Sequence, residues 1–551
     1  MQTFNTPLEA IDYWLKENPN KTFLKQPINR KYIDYSRVDA YDQACKVAAS
    51  LQELGLKKGD HVAILSKNCA HWFMADLAIM LGGFISIPIY PTLDADSINE
   101  ILVHSESKAI IIGKLDDYST QQSGIPDIIR IGVELYGITE QHAWEGLIEK
   151  DVPDFEPAKQ NPEDLITIMY TSGTTGNPKG VMHKVKSFNI IASTGLDSLE
   201  IPMNSKFFSY LPLSHIAERI GIEMGAIYKG GTVSFPETLD TFAEDLANTG
   251  PDVFLAVPRI WQKFQEKILE KMPQKKLDKL LSLPIIGNIV KKKIRTKLGL
   301  NNATCFSGAA PLALSLQEWY AKLGVEIKQC YGMTEDCILS HFSLPNANKF
   351  GKVGKPLPGV DSKLSAEGEI LIKNDCLMVG YYKEPEKTAE MFADDGYLRT
   401  GDIGEFDHDG YLSITGRIKD QFKTDKGKYV DPSGIELQIS KNTDVEQICL
   451  VGMGIAQPMA LIVPTEAAKE KTREELNQSL IETIEKLNPT LKAYEKVEKA
   501  VIMKEQWTVE NGLMTPSLKI RRNRVEAIHQ EYYPVWFERE ERVVYEEDLE
   551  A

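Results

Sequence analysis

The run Tyr170-Thr-Ser-Gly-Thr-Thr-Gly-Asn-Pro-Lys-Gly-Val-Met182 concentrates hydroxyls, glycines and one cation in a short span. Thr171, Ser172, Thr174 and Thr175 can donate to oxyanions, Gly173, Gly176 and Gly180 let backbone approach a ligand closely, and Lys179 adds a point charge. The segment therefore suits a polyphosphate. It follows a predicted strand and precedes a predicted helical segment. It is not a G-x-x-x-x-G-K-[ST] loop, because Pro178 stands where that spacing needs Gly and Gly180 where it needs Ser or Thr, which disfavours kinase or motor ATPase chemistry. Other chemically capable residues are less telling one at a time. Glu335 reads as a surface carboxylate, Asp402 as a turn residue, Tyr331 as a core aromatic and Arg417 as a cation at a strand end. His215 reads as a satisfied interior histidine, and Lys519 as one solvated lysine in the basic run KIRRNR.

The elements that must position these residues show an alternating pattern. Short β-branched runs at 165–170, 205–210, 253–257 and 325–331 are divided by helical stretches at 216–228, 241–247 and 312–323. The economical fold is α/β, a doubly wound and largely parallel sheet with ligands at the carboxyl ends of its strands. Trp72 to Tyr90 is interrupted by Asp76, Gly82-Gly83 and Pro88, so it is read as a buried helix running into a buried strand and not as a membrane span. Beyond about residue 350, GEILIK, DDGYLRTGD and HDGYLSITGR predict antiparallel β structure. After Arg417 comes the Lys-rich IKDQFKTDKGKY. Further strands (448–451, 460–463, 500–503) and a helix (473–487) then place a boundary near Lys419, with an N-terminal domain over residues 1–418 and a C-terminal domain over 419–551.

Composition narrows the function. The 551 residues are 42% apolar and 26% charged, which excludes collagen, coiled coil and wholesale disorder, and the length asks for more than one structural unit. A net charge of -16 repels phosphate backbones and argues against nucleic acid as a partner. The seven scattered cysteines form no metal pattern and read as reduced thiols. The N-terminal residues lack a secretory pattern, so the expected location is cytoplasmic. One local exception breaks the acidic balance: residues 267–298 carry ten Lys or Arg against two acids. A solvated helical hairpin is the plain reading, and peripheral contact with an anionic membrane or with CoA phosphates is the alternative.

The Thr171–Lys179 loop resembles that of the adenylate-forming superfamily of acyl-CoA synthetases, peptide-synthetase adenylation domains and luciferases. The other elements of that family follow in order: LPLSHIAER (211–219), SGAAPL (307–312), QCYGMTE (329–335), RTGD (399–402), GRIKDQFKTDKGKYVDPSGIE (416–436) and NGLMTPSLKIRR (511–522). HIAER, VPRIW (257–261) and the KTDKGKYVDPSGIE loop are most similar to long-chain fatty acyl-CoA synthetases. The resemblance implies a large N-terminal domain of doubly wound sheets with a small β-barrel-like part, and a small mobile α+β C-terminal domain.

By the same resemblance, residues 171–179 would hold the β and γ phosphates of ATP, and Glu335 with Thr174 would bind Mg2+. Asp402 would accept from the ribose hydroxyls. Tyr331, with Gly332, Met333 and Thr334 beyond it, would stack on adenine opposite a wall of Gly308, Ala309 and Ala310. Arg417 would reach ribose or phosphate and His215 the acyl carboxylate. Lys519 would bridge the attacking carboxylate and the α-phosphate, although Leu518 stands where many relatives have Gly. Lys419 matches the hinge about which the C-terminal domain rotates, and Gly427 the loop that then lines the pantetheine path of coenzyme A. Asp336, where relatives commonly carry a small residue, adds a carboxylate beside the expected metal. The implied activity is conversion of a medium- or long-chain fatty acid to acyl-AMP and then acyl-CoA. Its rivals are a fatty acyl-AMP ligase loading an acyl-carrier protein, an aromatic acid-CoA ligase and a non-catalytic acyl-adenylate or nucleotide sensor.

Overall fold

The computed structural model describes residues 3–152, 154–171, 178–509, 511–515 and 519–549. Its N-terminal region is built on two large sheets. The first has eight strands in the order Gly380–Tyr381, Lys179–Lys184, Leu165–Thr171, Ile85–Ile89, His61–Leu65, Ala109–Ile112, Ile129–Gly132 and His142–Ala143. Its strands run parallel from Leu165–Thr171 onward and antiparallel at the Lys179 edge. Ile85–Ile89 and Ala109–Ile112 are buried at every position, as strands covered on both faces must be. The helix Ala70–Gly82 is buried on all sides and touches strands of both large sheets, which explains a composition that is apolar apart from His71 and Asp76.

The second sheet has nine strands. Its parallel middle runs from Ile327–Tyr331 through Thr304–Ser307, Val253–Ala256, Lys206–Phe208 and Thr232–Ser234 to Thr22–Ile28, with antiparallel edges. The helix expected over 216–228 is three pieces: Ile216–Glu218, a π turn Arg219–Met224, and Gly225–Lys229. At this turn the fully buried Arg219 donates to both oxygens of Asp76 at 2.6 and 2.7 Å and to Thr167 Oγ1 at 2.7 Å. Periodicity could not report a π turn, because all its residues except Gly221 are buried.

The barrel-like part expected after residue 350 is a four-stranded antiparallel sheet of Asp361–Leu364, Glu369–Lys373, Leu398–Phe406 and Leu412–Arg417. A short turn, Ile418–Asp420, with Lys419 exposed, leads into the C-terminal segment. There the strands Val445–Val451, Met459–Pro464, Lys499–Ile502 and Val543–Tyr545 form a sheet packed by the helices Pro432–Ile439 and Arg473–Leu487 around a core of their own. An ion pair between Arg259 and Glu446 joins this segment to the N-terminal region.

Candidate active site

The Thr171–Lys179 segment lies in a β-hairpin and does not open a helix. Leu165–Thr171 pairs antiparallel with Lys179–Lys184, and the helix Val185–Ser198 begins only afterwards. Ser172, Gly173, Thr174, Thr175 and Gly176 lie outside the described residues; Thr171 and Lys179 are the rungs that close the hairpin. Gly180 serves packing and not ligand approach, since a Cβ there would sit 2.7 Å from Ile168 Cγ2 and 3.1 Å from the Tyr170 ring.

The same hairpin fixes the turn that carries Glu335. Lys179 Nζ lies 4.8 Å from the centroid of the Tyr381 ring. The Tyr381 hydroxyl donates to Glu335 Oε1 at 2.7 Å. His183 Nε2 faces the Thr334 carbonyl at 2.7 Å and must donate to it. Burial lowers the His183 pKa to about 4, so the ring is neutral. Met378 N–H donates to the Glu335 carbonyl at 2.8 Å, and Gly332 is required because a Cβ would meet Ile338 Cα at 2.7 Å. Neither His183 nor Tyr381 is flagged by the sequence motifs. Asp336 is fully buried and its Oδ1 accepts from Met333 N–H at 2.9 Å. Burial pushes its pKa up to about 8, and the neighbouring charges of Glu335 and Asp402 add to the rise. Its carboxyl closes the turn through the Met333 N–H, and its burial favours the protonated form.

Tyr331 ends its strand beside Thr304–Ser307, and the loop Gly308–Ala310 leaves the neighbouring strand end, so both sit at carboxyl ends of parallel strands. Gly308 lets the two approach, since its Cβ would stand 2.7 Å from Cys330 Sγ. Ala309 holds φ at +65°, a conformation that costs a non-glycine residue on the order of 1 kcal/mol and recurs at functional sites. Ala309 and Ala310 are exposed along this edge. The Tyr331 hydroxyl donates to Asp402 Oδ2 at 2.8 Å, and Arg417 Nε donates to Oδ1 at 2.6 Å. Asp402 and Arg417 are cross-strand partners, which makes their pairing a matter of register.

Lys519 and His215 complete the cluster from the C-terminal segment and the N-terminal region respectively. Lys519 follows Thr515, whose N–H donates to the Lys519 carbonyl at 2.7 Å, and its own N–H donates to Thr515 Oγ1 at 3.0 Å. The residue is exposed at the surface, while neighbouring protein partly desolvates its amine. Desolvation lowers its pKa, Arg417 lowers it further, and Asp402 and Glu335 oppose the fall. His215 caps Ile216–Glu218 and its Nδ1 accepts from Ala217 N–H at 3.2 Å, so Nε2 carries the ring proton. Burial and the charge of Lys519 lower the His215 pKa to about 4. A neutral donor, a cation, two carboxylates and a guanidinium thus converge from separate elements. Gly427 sits in the Thr424–Lys428 turn with φ +73°, and a Cβ there would meet only Lys423 Cε, at 3.7 Å. In this conformation its glycine is demanded by the turn and not by a passing chain.

Two large α/β sheets, a small antiparallel sheet and an appended α+β segment meeting at such a cluster define the architecture of an enzyme that works on adenylates. The chain belongs to the AMP-binding enzyme family: that description matches residues 11–382, and the AMP-binding enzyme C-terminal domain matches 419–533. It is similar to the long-chain-fatty-acid–CoA ligase FadD15 of Mycobacterium bovis, 27% identical with 93% of each chain covered. Long chain acyl-CoA synthetase 5 of Arabidopsis thaliana is 27% identical over 91% of this chain and 86% of its own. Among solved structures, the adenylation domain of a carboxylate reductase from Mycobacterium chelonae shares the fold with a TM-score of 0.79 at 22% identity, covering 97% of this chain and 91% of that one. The o-succinylbenzoate CoA synthetase of Bacillus subtilis does so with a TM-score of 0.73 at 20% identity, covering 94% and 97%.

Proposed function

We propose that the chain is an ATP-dependent ligase that joins a medium- or long-chain fatty acid to AMP, releasing pyrophosphate, and then passes the acyl group to CoA, releasing AMP. The observation that carries this reading is Lys519, a cation of the C-terminal segment held in the field of Asp402, Glu335 and Arg417. In the first step a carboxylate oxygen attacks the α-phosphorus and pyrophosphate departs. Two anions must be brought together, so catalysis is positioning and charge stabilisation. Lys519 meets charge that builds on the attacked phosphoryl group. His215, neutral with its proton on Nε2, can donate to the substrate carboxylate without adding a second cation. Asp402, oriented by Tyr331 and Arg417, accepts from ribose hydroxyls. Thr171 and Lys179 bracket the loop for the terminal phosphates, with Gly308, Ala309, Ala310 and Tyr331 to Thr334 framing the base.

Mg2+ fits what is present. Glu335 offers a hard oxygen ligand fixed by Tyr381. A single carboxylate suits a cation that would be held otherwise by phosphate oxygens, whose charge it would neutralise. Rotation about Lys419 would then bring the Gly427 loop to the site for thioester formation. The free thiols suit a cytoplasmic setting, and residues 267–298 are assigned to peripheral membrane contact, developed below. The test is product analysis: ATP, Mg2+, fatty acid and CoA should yield AMP and pyrophosphate, whereas stoichiometric ADP without AMP overturns the reading. Offering a carrier protein or an aromatic acid in place of CoA or fatty acid separates the rival ligases.

A further inference from the structure

Residues 258–297 form three helices, Pro258–Lys271, Gln274–Leu281 and Pro284–Lys297. Their inner faces are accounted for. Trp261, Phe264, Leu277 and Ile294 enter a core with Leu316 and Tyr320, and Trp319 Nε1 donates to Gln274 Oε1 at 2.8 Å. The outer face is unusual. Leu283, Ile285, Ile286 and Ile289 cluster at the entry to the third helix with 42, 78, 45 and 61% of their surface exposed. Ile285 and Ile289 are four residues apart and so share a side of the helix. Lys275, Lys276 and Lys279 precede this apolar tip, and Lys292, Lys293 and Lys297 follow it, all exposed. Among the described residues no ion pair engages any of the six.

Neither folding nor catalysis uses this face, and its chemistry selects an occupant. A second copy packed against it would oppose two segments that each carry ten basic residues and two acids. Nucleic acid would use the lysines but leave the aliphatics wet, and the -16 chain repels it elsewhere. A bilayer with anionic headgroups satisfies both halves: branched aliphatics enter the boundary between headgroups and acyl chains while lysines ring them at phosphate depth. The net charge of -16 opposes contact between an anionic surface and the chain outside a local basic patch such as this one. No described helix is long and apolar enough to cross a membrane, which leaves a surface contact.

We propose that Leu283, Ile285, Ile286 and Ile289, ringed by the lysines of residues 275–297, form a docking face for an anionic membrane. It rests on the fatty acid reading above, since such acids partition into bilayers, but it is tested without turnover. Full-length protein is floated with vesicles of phosphatidylglycerol in phosphatidylcholine, and with phosphatidylcholine alone, at low and high salt. Binding is expected only to the anionic vesicles and should weaken with salt. Neutralising Lys292, Lys293 and Lys297 to Gln should cost on the order of 100-fold in partitioning, about fivefold per lysine. Ile285→Ser with Ile286→Ser and Ile289→Ser should abolish flotation, and both variants should keep wild-type activity on a soluble short acid. Equal binding to neutral vesicles, binding untouched by either variant, or a wild-type dimer dissociated by the serine variant overturns the proposal. Absence of acyl-CoA with every acid, with flotation intact, would instead sink only the enzymatic reading.

Discussion

Lys519→Ala removes the cation that the C-terminal segment brings to Glu335 and Asp402, and its consequence should fall on one half-reaction. Losing a single donor aimed at developing charge costs roughly 3 to 4 kcal/mol, or on the order of 100- to 1,000-fold in rate. The upper end is expected here, because Lys519 is partly desolvated and Arg417, the other cation in the cluster, is already committed to Asp402. Rapid-quench measurement of pyrophosphate release with decanoate reads the first step alone. Thioester formation from supplied decanoyl-AMP and CoA reads the second, and should stay within about threefold of wild type if Lys519 acts only in adenylation. The pH dependence gives an independent check. A lowered amine pKa means the cation is lost at a lower pH than an ordinary lysine would lose it, so adenylation should fall as pH rises through a midpoint below 10.5. Lys519→Arg, which stays charged, should move that alkaline limb upward even if its maximal rate is reduced. Equal loss in both half-reactions of a folded Lys519→Ala protein would refute the argument and return the two steps to one fixed site.

Gly427→Leu should spare adenylation and obstruct thioester formation, whereas Gly427→Asn, which tolerates φ +73°, should be closer to wild type; comparable defects from both in acyl-AMP release would remove the loop from the second step. Tyr381→Phe deletes a hydrogen bond to an anionic carboxylate, a loss of about 1.5 to 3 kcal/mol, and should raise the Mg2+ concentration for half-maximal activity by roughly tenfold or more; an unchanged Mg2+ titration would detach Glu335 from the metal. Glu218 is buried and its pKa is raised to about 8, mainly by desolvation. Its folded pKa lies above the unfolded value of 4.5, so the folded state holds the extra proton and stability falls as pH rises from 4.5 to 8, at about 1.4 kcal/mol per unit. Chemical denaturation of Glu218→Gln should therefore show a shallower loss between pH 6 and 8 than wild type, and parallel curves would show that the carboxyl is ionised in the fold.

What could be read from the sequence was local, and what could not was long-range. The residue types of the Thr171–Lys179 loop announce phosphate chemistry, whereas Tyr331 at its strand end and Asp402 within Leu398–Phe406 read alone as a core aromatic and a turn residue and take their roles only from the family resemblance. His183 and Tyr381 announce nothing, because the atoms they hold, the Thr334 carbonyl and the Glu335 carboxylate, are 151 and 46 residues away. Ile85–Ile89 is legible as a buried strand after a buried helix because Gly82-Gly83 and Pro88 punctuate the apolar run, whereas Ala109–Ile112, buried at every position, has no alternation to report it. Glycine could be recognised as required at 180 and 427 but the reason could not: a Cβ clash in one and a positive φ in the other. The basic run KIRRNR shows the limit most sharply. Arg522 turns back into its own domain, donating to the Leu450 carbonyl and pairing with Glu436. Lys519, at the Met514–Ile520 bridge, faces the Asp402 and Glu335 charges of the N-terminal region. Composition makes these cations equivalent; only the docking of one region on the other divides them into a brace and a reactive group, so any perturbation that frees the C-terminal segment should silence Lys519 while leaving Arg522 paired.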